Sequence, residues 1–98
     1  MDLNRQHILD LLTDAKPFLQ QKYKLQEIAL FGSYARNEEN SNSDVDLMVV
    51  ENTNSFRDYS AMYHFVSSLF KGIKVQMVSK NAIKPQYFER LKSDLIYV

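Results

Sequence analysis

The chain has 98 residues, 45% of them hydrophobic, with twelve Lys and Arg balanced by twelve Asp and Glu and no cysteine. That length suits one small domain with a core, and the missing cysteines exclude disulfides, thiolate zinc sites and cysteine nucleophiles. Zero net charge argues against a nucleic-acid polymer as partner, because phosphate contacts supply much of that affinity; a single nucleotide stays open. No apolar run of about 18 residues occurs, and the N-terminal MDLNRQH is polar where a secretory signal is basic and then apolar, so a cytoplasmic protein without a membrane segment is expected.

Ile8, Leu11, Leu12, Ala15, Phe18 and Leu19 recur at helical spacing and predict a first helix. Pro17 falls inside it, which predicts a kink or break near Thr13 to Lys16. The apolar run Ile28 to Phe31 reads as a buried strand stopped by Gly32. Residues 37–43, NEENSNS, are polar turn formers and read as a loop. Asp44 to Val50 reads as a second strand, with Val45, Leu47 and Val49 on one face and Asp44, Asp46, Met48 and Val50 on the other.

After a loop over 51–55, the stripe of Tyr59, Met62, Tyr63, Val66, Leu69 and Phe70 predicts a second helix closed by Gly72. Its spacing is that of a helix packed on a sheet. Ile73 to Val78 reads as a third strand. Pro85 opens a short helix through Leu91, and Leu95 to Val98 reads as a terminal strand. His7 and His64 sit on helices as surface or partly buried residues. Tyr87, Phe88 and Tyr97 are candidates for an aromatic partner surface. Strands alternating with helices give an α/β domain, and no linker or repeat divides residues 1–98.

The chemistry concentrates between residues 32 and 46. On a strand, Asp44 and Asp46 point to one face with Cβ atoms roughly 6.5–7 Å apart. That gap suits two carboxylates chelating one hard cation such as Mg²⁺, whereas without a cation they repel. A plainer reading caps a loop with Asp44 and satisfies Asp46 by a backbone or Arg36 hydrogen bond. Gly32 lets a ligand approach the backbone, and the amides that follow, if they open a helical turn, point at an anion. The Ser33 hydroxyl adds a donor, and Arg36 offers a planar charged fork. The lysine-containing P-loop pattern is absent. A phosphate cradle ending one strand and a chelate opening the next form a coherent site for Mg²⁺-triphosphate.

The segment "LFGSYARNEENSNSDVDLMVV" resembles the nucleotidyltransferase signature of the DNA polymerase β superfamily, and in particular the minimal nucleotidyltransferases (MNT proteins) often paired with HEPN-domain toxins. That signature is Gly-Ser, ten residues, then Asp-x-Asp; here it is Gly32-Ser33, residues 34–43, then Asp44-Val45-Asp46. The flanking ALF and LMVV and the pair Ala35-Arg36 agree, and Asn37 stands where the family usually has glycine. The resemblance implies a small mixed sheet packed with helices, the nucleotidyltransferase fold, over the whole chain. It implies ATP as substrate, with Gly32, Ser33 and Arg36 binding nucleotide and Asp44 and Asp46 ligating Mg²⁺. It also implies transfer of AMP to a protein hydroxyl, with a HEPN protein as the partner neutralised.

The family's third carboxylate falls in a pattern like Val-Asp-Leu-Val on the next core strand. The corresponding stretch is Val75-Gln76-Met77-Val78, so Gln76 takes that position. An amide oxygen can ligate a cation but adds no charge and is no general base at neutral pH. Glu51, on the opposite strand face, and Asp58, beyond a loop, do not replace it. Two other readings follow: a decayed site that neutralises a partner by contact alone, and a nucleotide-binding regulatory module. A chain this short leaves no room for a second lobe, so a partner or a second copy is expected to complete the cleft.

Overall fold

The computed structural model describes residues 3–53 and 55–98. The elements run α1 (Arg5–Tyr23), β1 (Leu25–Phe31), β2 (Val45–Glu51), α2 (Phe56–Ser68), β3 (Val75–Ser79), α3 (Pro85–Leu91), a 3₁₀ turn at Lys92–Asp94, and β4 (Ile96–Tyr97). The loop expected over 51–55 contains Asn54, which lies outside the described residues.

Asn4 caps α1 by accepting the His7 amide at 2.9 Å. Pro17 does not break the helix as the sequence suggested: α1 continues through it to Tyr23. Proline removes one intrahelical donor, at about 3 kcal/mol in a helix interior. Leu12 and Leu19 flank it and are fully buried, each contributing roughly 1.5–3 kcal/mol. Pro17 itself is exposed, so water reaches the turn it disturbs. Packing wins.

The four strands form one sheet in the order β3-β2-β1-β4. β1 is antiparallel to both β2 and β4, whereas β2 and β3 are parallel, joined by the α2 crossover. The β1–β2 ladder shifts register between Leu25 and Glu27. That irregularity puts Leu25 in the same core as Ile28 and Leu30, although strict alternation forbids it. It also explains why the apolar pattern locates the strand only from Ile28.

The alternation expected for β2 holds. Val45, Leu47 and Val49 pack with Ile8, Leu12, Leu19, Met62 and Val66 in the main core under α1 and α2. Met48 packs with Phe31 and Leu91 in a smaller cluster under α3. Leu47→Ala is expected to destabilise the domain by about 2–5 kcal/mol, read as a lower urea midpoint at unchanged slope.

Two boundaries differ from expectation. Gly72 does not close α2, which ends at Ser68 with Leu69 as cap. The last turn tightens, with the Leu69 and Phe70 amides donating to Val66 O and Ser67 O at 3.1 Å each. This turns Phe70 into the core at 2% exposure; Gly72 serves the turn beyond, at φ +81°. β3 begins at Val75, and the residues before it complete that turn. Among the described residues no helix is long and apolar enough to cross a membrane.

Candidate active site

Gly32 ends β1 at φ +80°, a conformation open to glycine and strained for other residues. The chain then makes one tight turn: the Arg36 amide donates to Gly32 O at 3.2 Å, Asn37 to Tyr34 O at 3.3 Å and Glu38 to Ser33 O at 2.8 Å. The last two bonds form a Schellman closure with Asn37 left-handed at φ +59°. Asparagine is the commonest substitute for glycine there. Arg5 Nη1 donates to Ala35 O at 3.1 Å and pins the turn to α1. The amides of Ser33, Tyr34 and Ala35 have no acceptor among the described residues, as in the first turn of a helix awaiting an anion.

This turn sits directly against the carboxylates. Phe31 is the register partner of Asp46, and a Cβ added to Gly32 would collide with the Asp46 carboxylate, lying 3.1 Å from its Cγ. Glycine is required twice over, by backbone angle and by space. Gly32→Ala is expected to lose about 1–3 kcal/mol of stability, read as a lower melting temperature.

Asp46 is half-buried and accepts no hydrogen bond from the described residues, and the same holds for Asp44. Burial pushes the Asp46 carboxyl above its usual value of 3.8; the Asp44 charge pushes the same way, and Arg36 pulls against them. Two neighbouring acceptors without donors, one of them raised by desolvation and repulsion, form the electrostatic deficit that a hard cation relieves. The donor set fits Mg²⁺.

The third position is beside them. In the parallel ladder Asp46 pairs with Gln76, so both side chains share one sheet face on adjacent strands. Gln76 is exposed. Among the described residues no three Asp, Glu or His side chains come together as a metal cluster. Glu51 is far off: it pairs with Leu25 at the other end of the ladder and accepts from Ser79 Oγ at 3.1 Å.

Arg36 is not a free phosphate fork. Its Nη1 donates to Asp94 at 2.6 Å and its Nε to Glu38 at 2.9 Å. The Asp94 hydrogen bond is the main reason that its pKa rises. Asp94 follows α3 and carries no motif, so nothing in the sequence announced it. Tyr34 was also missed: it is buried at 4% exposure, and burial, then Glu39 and Asp44, raise its hydroxyl pKa. His7 and His64 stand apart on helix surfaces.

A nucleotidyltransferase domain model matches residues 12–98. The chain is 43% identical over 93 residues to MJ0128 of Methanocaldococcus jannaschii, which carries the provisional name protein adenylyltransferase; the match covers 93% of this chain and 94% of that protein. It is 30% identical over 97 residues to the protein adenylyltransferase MntA of Thermococcus cleftensis, covering 98% and 97%. Among solved structures, one provisionally named a minimal nucleotidyltransferase superposes with a TM-score of 0.76 at 24% identity, over 96% of this chain and 95% of that one. A toxin–antitoxin structure with AMP-PNP superposes at 0.67 with 26% identity, over 97% and 72%. The complex of a tri-AMPylated Shewanella oneidensis HEPN toxin with its MNT antitoxin superposes at 0.59 with 23% identity, over 96% and 67%. With family model, relatives and fold in agreement, the chain belongs to the nucleotidyltransferase domain family.

Proposed function

We propose that this nucleotidyltransferase acts as a single domain over residues 1–98, moves AMP from ATP to a protein hydroxyl and thereby serves as antitoxin to a HEPN-domain partner. One observation carries the reading: Gly32 has no Cβ, and the Asp46 carboxylate occupies that space, so phosphate turn and carboxylate pair form one site. The names of the relatives support adenylyl transfer to protein, and the MNT antitoxin complex supports the partner class. A reaction that consumes ATP supports a cytoplasmic setting.

In this reading the amides after Gly32 and the Ser33 hydroxyl hold the β and γ phosphates. Asp44 and Asp46 hold Mg²⁺, which supplies charge neutralisation to the triphosphate. The acceptor oxygen forms a bond to the α-phosphorus, the bond from that phosphorus to the bridging oxygen breaks, and pyrophosphate leaves. The acceptor's proton passes to solvent, because Gln76 cannot take it. Arg36 reaches the phosphates only by leaving Asp94 or Glu38, so its contribution is secondary.

The test is transfer of label from α-³²P-ATP to a co-expressed neighbouring protein. Label on a hydroxyl side chain of that protein is expected. Neutralisation of the partner with no label transferred would overturn the enzyme reading. It would leave the reading that Gln76 favours, a partner bound by contact alone. Calorimetry with Mg²⁺-ATP then separates that case, which needs no nucleotide, from a nucleotide-binding regulatory module. A second copy in place of the HEPN partner would show as a concentration-dependent dimer.

A further inference from the structure

The sheet order sets the parts of the site side by side: the phosphate turn continues β1, the carboxylates stand on β2 and Gln76 stands on β3. In an in-line displacement the attacking and leaving oxygens lie on opposite sides of phosphorus. With the leaving phosphates on the β1 side, the attacking hydroxyl enters over β3. Val78 follows Gln76 on that same face. α3 runs back along it: the Ala82 and Ile83 amides donate to Ser79 O at the far end of β3, at 3.0 and 3.2 Å, whereas Asp94 beyond α3 reaches Arg36 in the signature turn.

Between α3 and β3 lies a hollow of about 440 Å³, walled by Val78, Ile83 and Tyr87 and rimmed by Lys84 and Arg90. Tyr87 is 42% exposed. Neither Lys84 nor Arg90 forms an ion pair among the described residues, while Glu89 on α3 is taken by Lys92 at 2.6 Å. A chain of zero net charge thus gathers unpaired positive charge around one apolar hollow on its catalytic face.

We infer that this hollow seats the acceptor protein, through a segment with acidic side chains beside the acceptor hydroxyl and one apolar side chain packed against Val78, Ile83 and Tyr87. The inference rests on the adenylyl-transfer reading above. Acidic groups answer Lys84 and Arg90, and the apolar group answers the wall. Charges at such a rim steer and select a partner more than they tighten it.

The test uses the full chain and two fluorescein-labelled peptides, one of Asp, Glu, Leu and Tyr, the other with Lys at every acidic position. Anisotropy is expected to show that the wild type prefers the acidic peptide, and that added salt weakens it. Lys84→Glu with Arg90→Glu, both at exposed positions, should weaken the acidic peptide about tenfold and reverse the preference. Tyr87→Ala should weaken both peptides. Equal binding of the two peptides by the wild type, or no effect of charge reversal, would overturn the assignment. So would a loss of Mg²⁺-ATP affinity in the double variant, which would give the hollow to the nucleotide. Failure of the underlying reaction looks different: charge-dependent peptide binding persists, yet no label passes from α-³²P-ATP to peptide or protein, and the hollow loses its acceptor role with the reaction.

Discussion

Asp44→Asn and Asp46→Asn are each expected to lower adenylyl transfer by about 10²–10⁴-fold, while Asp46→Asn raises thermal stability in EDTA at neutral pH. The two effects share one cause. Burial, then the Asp44 charge, raise the Asp46 carboxyl above 3.8, with Arg36 opposing. The folded chain therefore binds that proton more tightly than the unfolded chain does. The stabilisation is fully present below pH 3.8 and is lost as pH rises through the elevated value. Above the elevated value the charged Asp46 carboxylate is a burden on the fold, and asparagine removes it. The melting-temperature gap between Asp46→Asn and wild type should open across that window and vanish below it. Under the proposed function, Mg²⁺-ATP should raise the melting temperature of the wild type and not of the variant, since Asp46 is assigned to hold the metal. Circular dichroism melts across a pH series check both. A wild type more stable than the variant at pH 7 in EDTA would contradict the assigned repulsion. Sites that hold mutually repelling groups commonly give up stability in this way.

Gln76→Asp is expected to increase turnover by up to about 10²-fold, the low end of what general-base assistance contributes. The register argues for it directly: Gln76 pairs with Asp46 across the parallel ladder, so an aspartate there would complete three carboxylates on one face of adjacent strands. The substitution is at an exposed position and should leave the fold intact. The gain should be largest at pH above the new carboxyl's ionisation. Single-turnover rates with saturating Mg²⁺-ATP measure it. An unchanged rate would mean that the attacking oxygen is not activated from β3, and would remove the premise on which the acceptor hollow is placed. If the wild type transfers no label and Gln76→Asp does, the natural protein acts by contact alone, and glutamine is the reason.

Much of the fold is legible in the chain because its segments obey simple periods. Val45, Leu47 and Val49 alternate with Asp46 and Met48, and the two sets lie on opposite faces of the sheet. Pro85 opens α3, which ends at Leu91 as expected. The failures have local causes. At Pro17 the loss of one hydrogen bond is outweighed by Leu12 and Leu19 in the core, a balance that no local rule weighs. At Leu25 a register shift breaks the alternation that pattern reading relies on. At Gly72 the demand of Phe70 for the core ended α2 early.

The candidate site divides along the same line. Gly-Ser, the spacing, and Asp-x-Asp are linear features, and the sequence by itself determined them, together with the glutamine at position 76 of the third strand. Only the tertiary structure decided what touches what. It placed the Asp46 carboxylate in the space that Gly32 leaves empty, paired Asp46 with Gln76, and tied Arg36 to Asp94 from the far end of the chain. Spacing along one strand is set by backbone geometry and can be read from residue types. Proximity between strands and helices is set by how the core packs, and that depends on the whole chain at once.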